Sequence, residues 1–125
     1  MSNIKKAKLI RLNEIIEEEV TLLIEGEAIE CFASFCPYNL EVGRVYNVEL
    51  SINLSESYEI RKTEPTDVRA VKKGRGFSYY LYGSLDDDTF KTFTTLFDED
   101  IHYDHPDLNN NFICLEVERI DASFC

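Results

Sequence analysis

Hydrophobic and polar residues alternate most regularly from Val45 to Leu54. Tyr46, Val48, Leu50, Ile52 and Leu54 share one face, and Val45, Asn47, Glu49, Ser51 and Asn53 share the other. A period of two predicts a half-buried strand with one wet face, delivered by the turn Glu41-Val42-Gly43-Arg44. Upstream, Val20 to Ile24 and Ala28 to Phe35 form two further runs separated by Glu25-Gly26-Glu27, the signature of a hairpin. In the second run Ile29, Cys31, Ala33 and Phe35 share one face and Glu30, Phe32 and Ser34 the other. Pro37 then ends it, because proline has no N–H to give a ladder. The run Ala7 to Ile16 fits both periods, since Leu9, Leu12, Ile15 and Ile16 have helical spacing while Ile10 fits a strand. The β-rich sequence that follows tilts it to a strand.

Phe77 to Gly83 reads as a strand by its aromatic content. Phe112 to Ile120 reads as another, with Ile113, Leu115 and Val117 inward and Cys114, Glu116 and Glu118 outward. Residues 90–97 carry both signals. Phe90, Phe93, Leu96 and Phe97 make a helical stripe that Asp86 to Asp88 would cap, whereas three threonines and the aromatics favour a strand, the state preferred here. Ser55 to Gly76 and Asp98 to Asn111 are rich in charges and turn formers, and are expected to be loops with at most short strands. About six or seven short strands without strand–helix alternation predict a mainly β fold, as a single domain over residues 1–125. A small antiparallel Greek-key barrel of oligonucleotide-binding (OB) type, or a compact β-sandwich, with at most one short helix, satisfies the pattern.

Composition narrows the classes. The chain has 125 residues, 13 Lys plus Arg against 24 Asp plus Glu, and a net charge of −11. A hydrophobic share of 44%, with seven Tyr and eight Phe, argues against disorder despite that charge. No apolar run reaches the ~18 residues of a membrane span, and Arg11 and Glu14 interrupt what would be the core of a signal peptide. A cytoplasmic protein is expected, with Cys31, Cys36, Cys114 and Cys125 as thiols. The negative charge disfavours nucleic acid and membrane as partners and favours a basic one.

Candidate chemistry is sparse. No nucleophile–base set and no phosphate-binding glycine loop is present, so an enzyme is not expected and no cofactor is implied. His102 and His105 lie three apart in an acidic loop beside Asp104 and Asp107, the minimum for a metal-dependent hydrolase, and Cys31 and Cys36 would be soft ligands if the fold brought them close. Solvated histidines and buried thiols are the plainer account, and no metal site is assigned. Arg61, Lys62, Arg69, Lys72, Lys73 and Arg75 precede Phe77, Tyr79, Tyr80 and Tyr82. Bases that grip phosphates beside rings that stack nucleobases are what a single-stranded nucleic-acid site requires, with Lys72, Lys73, Arg75, Phe77, Tyr79 and Tyr82 as the candidate residues. Arg75 to Tyr82 resembles the RNP1 pattern of RNA-recognition motifs, departing at Ser78 and Tyr80, but the helix that motif needs upstream is missing. Tyr79-Tyr80-Leu81-Tyr82 would equally pair two copies of the chain as a homodimer.

The opposite pole is acidic. Asp86, Asp87, Asp88, Asp98, Glu99, Asp100, Asp104 and Asp107 stand against one base, Lys91, and Glu17-Glu18-Glu19 would add to them if the fold brought it near. Charge runs are most often solvated faces. Interleaved Phe90, Phe93, Phe97 and Tyr103 shift the balance towards an interface, because hot spots combine rings with charge. Asp86, Asp87, Asp88, Asp98, Glu99, Asp100 and Asp104 are therefore the candidate partner-binding residues.

The ending Phe112 to Asp121, together with Leu40 to Leu50, is similar in style to small OB-like proteins found beside bacterial toxins. A small, acidic, all-β protein without a catalytic set resembles the immunity proteins that neutralise polymorphic or contact-dependent toxins. That resemblance implies a non-catalytic module binding one cognate, often basic, toxin, with no individual residue carried over. The alternative is an OB-like single-stranded nucleic-acid module using residues 72–82.

Overall fold

The computed structural model describes residues 2–125. Five strands close into a barrel: β1 (Ile4–Leu12), β2 (Glu19–Ile24), β3 (Glu27–Phe35), β4 (Val45–Asn53) and β11 (Arg119–Phe124), in the order β1-β2-β3-β11-β4 with β4 returning to β1. The architecture is mainly β, as the alternation predicts. It is not purely antiparallel, because β3 and β11 run parallel, with Phe32 opposite Asp121. Residues between β4 and β11 build a second sheet from β5 (Ile60–Lys62), β6 (Ala70–Lys72), β7 (Tyr79–Asp86), β8 (Thr89–Lys91), β9 (Thr95–Phe97) and β10 (Phe112–Val117). Its order is β5-β10-β7-β8-β9, with β6 also on β7. A short helix, α1 (Asp100–Asp104), and a 3-10 turn (Pro106–Leu108) connect β9 to β10. Among the described residues no helix is long and apolar enough to cross a membrane.

Local chemistry explains most elements. In β4, Tyr46, Val48 and Leu50 are buried and Val45, Asn47, Glu49 and Ser51 are exposed, as the period of two requires. The β2–β3 hairpin turns on Glu25 (φ 47°) and Gly26 (φ 85°), two successive left-handed residues that match the twist of the flanking strands. The strand preferred above for Ala7 to Ile16 lies at Ile4–Leu12, and residues 13–16 belong to the loop that follows it. The mixed spacing there comes from a bulge between Leu9 and Arg11: Ala7 and Leu9 before it are fully buried, Ile10 within it is exposed, and Leu12 beyond it lies opposite Val20 but is partly exposed.

Four expectations are corrected. Residues 112–120 are two strands: β10 belongs to the second sheet and β11 to the barrel. Ile113, Leu115 and Val117 point inward at odd positions, whereas Ile120, Ala122 and Phe124 do so at even ones. The phase slips at Glu118, whose N–H donates to the Asn53 carbonyl (2.7 Å) as the chain changes sheets. Cys114 is buried, since the outer face of β10 is covered by cross-strand Tyr82 and Arg61. Residues 100–104 are helical where a loop is expected. The Asp98 carboxylate accepts from the N–H groups of Asp100 (2.9 Å) and Ile101 (3.1 Å), and this cap supports one turn that buries Ile101. A turn so short leaves no periodicity to read. The contested 90–97 segment is extended, but as parts of two strands, β8 and β9, paired through Phe90 and Leu96.

One hydrophobic cluster takes residues from both sheets, including Phe124 and Leu9 from the barrel and Phe90, Leu81 and Leu115 from the second sheet. Each such side chain contributes roughly 1.5–3 kcal/mol on burial. The amide of Asn3 adds a polar tie: its Nδ2 donates to the Phe97 carbonyl (3.0 Å) and its Oδ1 accepts from the Phe97 N–H (2.8 Å), so a side chain pairs with the free edge of β9. Gly83 sits where the backbone of Lys91 and Thr92 crosses β7, leaving no room for a Cβ. Gly83→Ala is therefore expected to lower unfolding free energy by about 1–3 kcal/mol. Gly76→Ala, which meets nothing within 4 Å, should stay within about 0.5 kcal/mol of the parent. Urea midpoints of the two variants check this.

Candidate functional site

The acidic residues converge through backbone bonds. The β7–β8 turn holds Asp87 in the left-handed region (φ 54°), where its N–H donates to Asn109 Oδ1 and its carboxylate accepts from Asn109 Nδ2, both at 2.8 Å. The N–H of Asp98 donates to the Asp88 carbonyl (2.9 Å), bringing the β9–α1 corner against that turn. As a result Asp87, Asp88, Glu99 and Asp100 surround an open depression together with His102 and Tyr103. Tyr103 is 80% exposed. Among the described residues none of these four carboxylates forms an ion pair.

The remaining sequence candidates are used differently. Asp98 is spent on capping α1. Asp86 ends β7 on the surface and does not line the depression. Asp104 stands near Tyr58, whose phenol is pushed up by burial first and then by Asp104 and Asp98. Tyr58 Oη lies 2.7 Å from His105 Nε2, with the rings edge-on. The two histidines therefore face different surroundings, with His102 on the depression and His105 against Tyr58. Among the described residues no group of three or more His, Cys, Asp and Glu is placed to hold a metal ion. Cys31 and Cys36 diverge, Cys31 into the barrel core and Cys36 to the surface. Burial, with Asp121 and Glu30 nearby, pushes the Cys31 thiol up to about 12. Glu17 and Glu18 lie on the β1–β2 loop, outside the depression.

The basic and aromatic residues are split between faces and partners. Lys72 pairs with Glu30 of β3 and lies over the Tyr79 ring (5.3 Å), and Lys73 pairs with Glu116 of β10 and lies over Tyr80 (5.5 Å). Tyr79 is buried and its hydroxyl accepts the Glu30 N–H at 2.9 Å, so it has no face for a nucleobase. Burial is the first cause that pushes this phenol up to about 12. Phe77 meets Phe32 edge-on at 5.6 Å, and Arg119, held by Asp121 at 2.7 Å, covers the other side of that cluster with its guanidinium 4.2 Å from the Phe32 ring. Tyr82 lies on the opposite face of β7 from Tyr79, beside Cys114. Arg75 reaches a polar groove over β2 and β3 that it shares with Lys72, Glu19, Glu30 and Arg11. Arg11 escapes a reading by segment because the bulge in β1 brings it there.

Residues 3–125 match the family described as uncharacterised conserved protein UCP019853. The chain belongs to this family. Neither a curated protein nor a solved structure matches it. The UCP019853 match runs through both sheets, so the barrel and the inserted sheet lie within one family unit.

The thiol placement sets a test of the fold around this site. Native protein treated with iodoacetamide near neutral pH should be alkylated at Cys36 and Cys125, the exposed pair, while Cys31 and Cys114 react only after unfolding. Peptide mass mapping reads the pattern, and rapid native labelling of Cys31 would contradict the barrel core.

Proposed function

We propose that the protein is a non-catalytic binding module whose acidic depression docks onto a basic protein, in the manner of bacterial immunity proteins that neutralise a cognate toxin. The observation that carries this reading is the set of four carboxylates, Asp87, Asp88, Glu99 and Asp100, grouped around exposed Tyr103 without a cation among the described residues. Like charges at that density repel one another. A complementary basic surface relieves the repulsion, steers encounter and offers the tyrosine ring an apolar contact. The hydrogen bonds through Asn109 and Asp98 hold the loops ready, which lowers the ordering cost of docking.

Capture of a protein partner from the source lysate on the immobilised full chain, followed by stopped-flow association with that partner, tests it. The triple variant Asp88→Asn/Glu99→Gln/Asp100→Asn spares the helix cap at Asp98. It should slow association about tenfold at low ionic strength and flatten the salt dependence. An unaltered rate in a genuine complex, or no complex at all, would remove the reading.

One observation favours a second reading. A closed five-stranded barrel with a groove over its second and third strands suits an OB-like module, and that groove here holds Arg11, Lys72 and Arg75. As an OB-like module it would bind single-stranded oligonucleotides at low salt and weaken on Arg75→Ala. The ion pair of Lys72 with Glu30, the presence of Glu19 in the groove and the burial of Tyr79 place it second. Fluorescence anisotropy with oligo(dT) near 50 mM salt decides it, and no binding there eliminates the module.

A further inference from the structure

The barrel exposes apolar side chains at one pair of loops. Ile15 is 93% exposed, Phe35 58%, Tyr38 40% and Leu12 38%. These residues, with Ala33 and Leu40, line a groove of about 940 Å³ between the β1–β2 and β3–β4 loops. Glu14, Glu17 and Glu18 also line it, and no Lys or Arg does.

The exposure is built. Asn13 Oδ1 accepts from the N–H groups of Ile15 and Ile16, both at 2.8 Å, and the Glu19 N–H returns to the Ile16 carbonyl at 3.1 Å, so an ordered turn carries Ile15 into water. Across the groove the Cys36 thiol donates to the Tyr38 carbonyl (3.0 Å), and Tyr38 donates its hydroxyl to the Cys125 carbonyl (2.7 Å) while stacking on Tyr46. Large apolar side chains held in water by ordered turns, interleaved with carboxylates, combine the ring and charge features of a surface that is covered in use.

We propose that this groove docks a basic segment of another protein, one that inserts apolar side chains against Ile15 and Phe35 while its Lys or Arg residues meet Glu14, Glu17 and Glu18. Charge selects this occupant. A second copy of the chain brings another −11, and an acidic segment meets three carboxylates with no cation between them. The site lies on barrel loops, whereas the acidic depression lies on the second sheet, so either stands or falls without the other.

The test uses the full chain and three labelled short peptides: alternating Lys and Leu, alternating Lys and Ser, and alternating Glu and Leu. Anisotropy near physiological salt should show the Lys–Leu peptide binding at least about tenfold tighter than the Lys–Ser peptide, with no binding by the Glu–Leu peptide. Ile15→Ser/Phe35→Ser, at exposed positions, should weaken the Lys–Leu peptide about tenfold. Glu17→Gln/Glu18→Gln, which leaves the apolar floor intact, should weaken it several-fold. Asp88→Asn/Glu99→Gln/Asp100→Asn should leave it unchanged. Equal affinity for Lys–Leu and Lys–Ser, equal affinity for Lys–Leu and Glu–Leu, or indifference to Ile15→Ser/Phe35→Ser overturns the proposal. So does a dimer in sedimentation that Ile15→Ser/Phe35→Ser dissolves, which would make a second copy the occupant.

Discussion

The passage from Val117 to Ile120 belongs to both sheets, and the rest of the molecule depends on it. Through Val117 the chain hydrogen-bonds β7 and β5 in the second sheet; from Arg119 it bonds β4 and β3 in the barrel. A phase slip of one residue at Glu118 lets Val117 and Ile120 both point inward, so the two sheets share a core at the point where they would otherwise come apart. Strands that change sheets through such a jog form the corners of packed β structures. The parallel β3–β11 pair, which helps to close the barrel, lies beyond this corner in the chain.

How much of this was legible depends on what a linear pattern can carry. Strand β4 and the β2–β3 hairpin were readable because their alternation is unbroken and their turn residues are local. The corner was hidden, since Ile113 to Ile120 looks like one apolar strand unless the odd-to-even slip is noticed. Cys114 was read as wet because a neighbour on either side of it alternates correctly, and nothing nearby in sequence reveals that Tyr82 and Arg61 cover that face. Among the acids, proximity along the chain predicted that a cluster exists but not which members remain free. Asp98 spends its Oδ1 on two helix N–H groups, and Asp87 exchanges bonds with Asn109, remote in sequence. The pairing of the basic segment was hidden for the same reason, because the partners of Lys72 and Lys73 are Glu30 and Glu116, on strands remote in sequence.

Those two ion pairs bear on the surface as a whole. Each ties the β6–β7 region to another strand, one in the barrel and one in the second sheet, and each removes a cation from the count available to outside ligands. Pairs with this much solvent contribute little to stability. Their larger effect is on the map of potential, since the neutralised bases and the uncompensated acids end up on different loops. The −11 charge is thus concentrated in places, and the two surfaces argued above as docking sites are both among them.

The amide of Asn3 has a consequence of a different kind. Strand β9 ends its sheet, and an end strand offers bare backbone groups to any passing chain. Asn3 fills one such slot with a side chain that imitates a peptide unit but cannot be extended into a further strand. The first few residues therefore act as a stopper against fibre-like growth. Losing Asn3 to a protease would leave the interior packing intact while baring the end strand to pairing with other chains.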